Sequence, residues 1–150
     1  PPPKQREVGC LYYSFESETP VKDPILILNG IGDERGNEEN PVNNICFPSA
    51  VAKGYAPEGC GLCSVTVLKG AMDIYRGRED ELDQAVRKQL ASWFPKQSEH
   101  IMKTWELKGV YNIPKAQPVQ FKGPFPANVD GGRACTTFRG KDLPPGLFVC

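Results

Sequence analysis

Apolar and polar residues alternate from Cys10 to Glu16. Leu11, Tyr13 and Phe15 fall on one face, with Cys10, Tyr12 and Ser14 on the other, so this stretch predicts a half-buried strand. Ile25-Leu26-Ile27-Leu28 is apolar throughout and predicts a short strand covered on both faces. Asn43 to Ser49 predicts a third strand. Leu62 to Leu68 predicts a fourth, with Leu62, Ser64, Thr66 and Leu68 opposed to Cys63, Val65 and Val67. The period then changes. Leu82, Ala85, Val86, Leu90 and Trp93 recur at helical spacing, and Glu79, Asp80, Glu81 and Asp83 crowd the first turn, where the helix dipole favours negative charge. A helix is expected from Glu79 to Phe94, stopped by Pro95. A further helical turn follows at Glu99 to Lys103 and a fifth strand at Thr104 to Tyr111.

The punctuation between these elements is clear. Thr19 to Pro24 and the polar, Gly-rich Gly30 to Pro41 read as loops. Tyr55-Ala56-Pro57-Glu58-Gly59 reads as a tight turn, because Pro presets φ and Gly accepts positive φ. Asn112 to Gly132 carries Pro114, Pro118, Pro124 and Pro126 and reads as a long irregular loop. Pro144-Pro145-Gly146 turns into Leu147-Phe148-Val149-Cys150, the first half of a buried strand. Strands joined by short turns favour an α+β fold: a mixed, largely antiparallel sheet with helix packed on one face. Residues 1–145 form one domain in this reading, and 146–150 begin a strand of another. With Pro1-Pro2-Pro3 at the other end, the chain is expected to be one piece of a longer polypeptide.

Composition narrows the function classes. With 18 basic and 18 acidic side chains, no basic excess points to nucleic acid. No apolar run approaches the ~20 residues of a membrane-spanning helix. Six cysteines, several among strand-forming neighbours, favour reduced, buried thiols in an intracellular protein over a disulfide scaffold.

Four segments invite a chemical reading. Gly30-Ile31-Gly32-Asp33-Glu34-Arg35-Gly36 follows an apolar strand, as a phosphate loop would, but its glycine spacing is wrong and the following Asn37-Glu38-Glu39-Asn40-Pro41 is acidic. An acidic surface loop is the better reading. Cys60-Gly61-Leu62-Cys63 is a lone CxxC. An odd separation on an extended strand sends its thiols to opposite faces, so no metal is assigned. His100 reads as a surface histidine near a helix end. Trp105 to Pro114 is a strand feeding a Pro-braced segment, which suits either the lining of a pocket or an ordered connector.

Taken in order, Ile25 to Gly30, Asn43 to Val51, Tyr55 to Gly59 and Cys63 to Leu68 resemble the substrate-domain half of the flavin-containing amine oxidase superfamily. The resemblance is strongest to its phytoene desaturase and protoporphyrinogen oxidase-like oxidoreductases of plants and cyanobacteria. The helix at Glu79 to Phe94 and the segment Val110 to Pro118 follow in the expected order. Gly146-Leu147-Phe148-Val149-Cys150 resembles the strand that leads into a Gly-Asp pair contacting FAD in that family.

The resemblance implies an FAD-dependent oxidoreductase in which hydride passes from substrate to flavin. This chain would supply part of the substrate-cavity wall, and Tyr111, Pro114, Gln117 and Pro118 would face substrate or flavin. No catalytic residue is assigned. The implied partners are an apolar or amine small-molecule substrate and the FAD-binding domain of the same parent chain. The implied compartment is a plastid. The FAD-binding GxGxxG motif does not occur here, so this chain by itself is expected to be inactive. The lysine that amine-oxidising members carry has no counterpart at Val8-Gly9-Cys10, which favours a desaturase-like reaction on an apolar substrate. The competing reading is a standalone α+β module that binds a ligand or protein without redox chemistry.

Overall fold

The structure is a computed structural model and describes residues 5–118, 137–138 and 141–142. The chain divides into two compact units, Pro1–Val119 and Gln120–Cys150. In the second, the described residues form one antiparallel pair, Thr137–Phe138 with Lys141–Asp142.

The first unit is built on a five-stranded sheet. Its strands are β1 (Gln5–Phe15), β2 (Leu26–Leu28), β3 (Val42–Cys46), β4 (Gly61–Leu68) and β5 (Glu106–Pro118), in the order β2-β3-β4-β1-β5. Every pair is antiparallel, so the sheet is not mixed. Four helices accompany it: α1 (Pro48–Val51), α2 (Lys69–Ile74), α3 (Glu79–Trp93) and α4 (Ser98–Thr104). The α+β class read from the sequence therefore holds.

The alternation along β1 and β4 lands as expected. Leu11, Tyr13, Phe15, Cys63, Val65 and Val67 are buried on the core face with Ile45 of β3. Helix α3 contributes Leu82, Val86 and Leu90 to the same core, and α4 contributes Ile101. Burying each such side chain contributes roughly 1.5–3 kcal/mol. The aromatic end of the core is layered, with the Phe15 ring stacked on Trp105 at 4.3 Å and Phe47 edge-on to Trp105 at 6.4 Å. Gly61 makes room for this stack, since a Cβ there would lie 2.1 Å from the Phe15 ring. Gly9 similarly leaves room for Met72 of α2.

Polar side chains tie the helices to the sheet. Gln89 is buried in α3, and its Oε1 accepts from the Val42 N–H at 2.9 Å, satisfying a donor beside the β3–β4 bulge. Arg87 donates through Nε to both oxygens of Asp83 at 2.8 and 2.9 Å and through Nη1 to the Ile101 carbonyl at 3.0 Å. Its guanidinium lies 5.1 Å over the Tyr13 ring.

Several expectations are corrected. The apolar run at Ile25–Leu28 is an edge strand, not one covered on both faces: Leu26 is 58% and Leu28 64% exposed. An unbroken apolar run says nothing about where its strand sits in the sheet. The fifth strand does not end at Tyr111 but runs to Pro118, paired with β1 as far as Gln5↔Pro118. Between Val8↔Ile113 and Arg6↔Gln117, three residues of β5 face one of β1, and this bulge takes in Pro114. An edge strand with a bulge tolerates a proline that cannot donate to the ladder. The short helices α1 and α2 were not expected, because four and six residues are too few to show a period. The rest of the expected 112–132 loop, the strand start at 146–150, Cys135 and Cys150 lie outside the described residues.

Candidate functional site

The helices cover one face of the sheet. On the other, Cys10, Tyr12 and Ser14 of β1 alternate out of the core. Leu62, Ser64 and Thr66 of β4, and Asn44 and Cys46 of β3, join them. Most of these side chains are half-buried, while their core-face neighbours are at or near zero exposure. This open face is the candidate site.

Its centre is aromatic. Tyr111 pairs with Cys10 across β1–β5, and its ring lies edge-on to Tyr12 at 5.8 Å. It also covers Gly109, where a Cβ would come within 3.0 Å of the ring. The register makes this possible. Lys108 is the extra residue of a bulge between Tyr13↔Leu107 and Tyr12↔Gly109, which keeps Leu107 on the core and returns Gly109 to the open face.

Beside the tyrosines lies a neutral polar strip. The Cys10 thiol and Ser64 hydroxyl are 3.5 Å apart, and Asn44 Nδ2 donates to Thr66 Oγ1 at 3.2 Å. The hydrogen bond with Cys10 raises the Tyr12 phenol above its usual value, and burial raises the Cys46 thiol. Both therefore stay uncharged at neutral pH. The centre of the face thus offers apolar contact and neutral hydrogen-bonding groups, with charge kept to its ends at Arg6, Glu106 and Lys108. That chemistry suits an apolar ligand bearing few polar atoms.

The residues expected to face substrate are placed as follows. Tyr111 is on the open face and 54% exposed. Gln117, also exposed, pairs with Arg6, which belongs to the same β1 row as Val8 and Cys10. Pro114 is exposed in the β5 bulge, and Pro118 pairs with Gln5 at the strand's end. All four thus sit on one edge strand, and Tyr111 alone among them has a described aromatic partner on the face.

At one end of the sheet an open cavity of about 570 Å³ is lined by Ser14, Phe15, Tyr55, Cys60, His100 and Lys108, among others. His100 is more than a surface residue. It is half-buried against the edge of Phe15, with Nε2 2.9 Å from the Ser17 hydroxyl and Nδ1 2.6 Å from that of Thr104. Ser17 is 83 residues away in sequence, so no local pattern announces the contact. Two hydroxyls hold the ring where a general base would want an orienting carboxylate, so the arrangement reads as a tie between β1 and α4.

The CxxC splits as its spacing requires. Cys63 is wholly buried on the core face, its thiol pushed well up by burial, while Cys60 borders the cavity. The four described cysteines are free thiols. Residues Gly32–Glu34 form a 3₁₀ turn carrying Asp33 and Glu34, and Arg35 Nε folds back onto the Gly32 carbonyl at 2.7 Å. This segment is an acidic turn and offers no phosphate cradle.

Tyr12 is a candidate on this face that the family resemblance does not name, although its place opposite Leu11 and Tyr13 in the alternation puts it here. The sequence matches no family model and no curated protein. Among solved structures it is similar to the PF1083 protein of Pyrococcus furiosus, at 15% identity and a TM-score of 0.45. The match covers 87% of this chain and 27% of that protein, so the chain spans well under half of its length.

Proposed function

We propose that the open face of the sheet is one wall of an apolar substrate cavity in an FAD-dependent oxidoreductase of the amine oxidase type, with a desaturase-like reaction. The observation that carries the reading is the one-sided cover of the sheet. Helices seal the face bearing Leu11, Tyr13 and Val65, while no described element covers the Tyr12–Tyr111 face, which is neutral at its centre. A sheet covered by helices on one side and bare on the other is suited to closing a cavity against a second layer. The order of the sequence segments that resemble that family supports the same reading.

The described residues do not fit a role in holding the dinucleotide, because the glycine-rich turn that follows β2 is acidic. The nucleotide-binding part would belong to other regions of the parent polypeptide. Bound flavin would supply the hydride acceptor. The residues of this chain would orient the substrate: Tyr111 and Tyr12 by ring contact, and Ser64 and Cys10 by neutral hydrogen bonds.

Purifying the longest native polypeptide that contains this sequence and recording its visible spectrum tests the reading. Oxidised-flavin bands, with FAD released on denaturation, are expected. A correctly folded native protein that is colourless and takes up no added FAD would overturn it, and would favour the standalone binding module.

A further inference from the structure

The two edges of the sheet are finished differently. On β5, Lys108 sits in one bulge and Pro114 with Lys115 in the other, and bulges, lysines and prolines are the usual devices that keep an edge from pairing. Strand β2 carries no bulge, lysine or proline within it, although it is only three residues long and Asp23-Pro24 precedes it. Ile25, Leu26 and Leu28 are 50%, 58% and 64% exposed, with neither charge nor proline between them.

The ladder also fixes which backbone groups are free. The Asn29 N–H donates to the Asn43 carbonyl at 2.9 Å, so Asn29 and Asn43 form a hydrogen-bonded pair. Such pairs alternate along an antiparallel ladder. Ile27↔Ile45 is therefore also hydrogen-bonded, and the N–H and C=O groups of Leu26 and Leu28 point outward, where no described strand lies.

We infer that β2 pairs antiparallel with β2 of a second copy of this chain, about a two-fold axis at Ile27. In that register Leu26 of each copy meets Leu28 of the other in hydrogen-bonded pairs. All the outward groups at these positions on both copies are satisfied at once, and an isologous contact closes without propagating. No other centre does this: an axis one residue away leaves one of the two positions without a strand partner. The exposed parts of Ile25, Leu26, Leu28 and the nearby Ile31 amount to on the order of 400 Å² per copy, about half the ~800 Å² per partner of a standard stable interface. The dimer is accordingly weak and concentration-dependent.

Light scattering and sedimentation of the purified protein test this. The wild-type protein is expected to show one protomer mass at ~1 μM and twice that mass at ~100 μM. The Leu26→Lys/Leu28→Lys variant should stay at one protomer mass throughout, with unchanged circular dichroism. Separately, on treatment with oxidised glutathione, the Ile27→Cys variant should form a disulfide between the thiols introduced at this position in the two copies, located by mass spectrometry. Residues facing across a non-hydrogen-bonded pair have Cα atoms about 4.5 Å apart, within disulfide reach. The cross-link keeps the test decisive if the double variant loses its fold. The inference is overturned by the one-protomer wild-type mass at both concentrations, by a dimer that survives both lysines, or by a wild-type dimer whose Ile27→Cys counterpart does not cross-link through the introduced thiols. It is also overturned if amide exchange at Leu26 and Leu28 slows only when a different extended polypeptide is added, which would assign the edge to that partner.

Discussion

The same strands present two unlike faces. Toward the helices, Leu11, Val65, Val67 and Ile45 are fully buried and pack against Val86 and Leu90. Away from them, Tyr12, Ser64 and Cys46 are only half-covered, and Tyr111 stands more than half exposed. One period-2 pattern writes both faces, yet the residue types differ. The core face is mostly aliphatic and aromatic, its Tyr13 phenol and Cys63 thiol fully buried, whereas the open face carries half-exposed phenol, thiol, hydroxyl and amide groups. The first composition stabilises the fold by excluding water. The second leaves groups available for a ligand at little cost to the fold, so substitutions on the two faces should have different consequences.

The largest effect is expected in the core. Leu11→Ala should destabilise the fold by about 2–5 kcal/mol, read as a lower urea midpoint at constant slope. Glycine positions under the core aromatics come next. Gly61→Ala drives a methyl group to within 2.1 Å of the Phe15 ring and should cost about 1–3 kcal/mol as the Phe15–Trp105 stack shifts, with a change in near-ultraviolet circular dichroism. Gln89→Leu leaves the buried Val42 N–H without its acceptor and should also cost about 1–3 kcal/mol.

Alkali should reveal the same asymmetry. Burial raises the Tyr13 phenol and the Cys63 thiol, with Asp83 adding to the effect at Tyr13. Both groups keep their protons in the folded state above the pH at which the unfolded chain loses them, 9.0 for the thiol and 10.0 for the phenol. The unfolded state then binds fewer protons, so stability falls as pH rises. The loss begins near pH 9 and approaches ~1.4 kcal/mol per pH unit for each group. Below that range neither contributes. Urea titrations across it should give a smaller loss for Cys63→Ala than for wild type. Trp105 Nε1 is buried without a hydrogen-bond partner among the described residues, so this region already carries a polar cost.

Much of this division was legible in the sequence. The alternation at Leu11–Phe15 and Leu62–Leu68 separates the two faces correctly, and the period of Leu82, Val86 and Leu90 locates α3 and its buried side. What escaped was long-range or short. The Gln89–Val42 and His100–Ser17 contacts join distant segments, and no spacing rule links them. Strand β5 reads as a loop after Tyr111 because proline is disfavoured in strands in general, while an edge with a bulge accepts it. The exposure of Leu26 and Leu28 depends on strand order, which hydrophobicity alone does not fix. Tyr111 enters as a candidate through family resemblance, and its ring contact with Tyr12 emerges only from the fold.

The smallest stability effect should come from Tyr111→Ala, and it bears most directly on the central claim. Losing an exposed ring and its edge contact with Tyr12 should cost only about 0.5–1.5 kcal/mol. For the flavin-containing parent polypeptide proposed above, the decisive measurement is the anaerobic bleaching of flavin by an apolar donor, compared between wild type and Tyr111→Ala at equal flavin content. If the open face is the cavity wall, bleaching slows at least tenfold, a transition-state loss of about 1.4 kcal/mol or more, while the urea midpoint barely moves. Equal bleaching rates in the two proteins would contradict the claim.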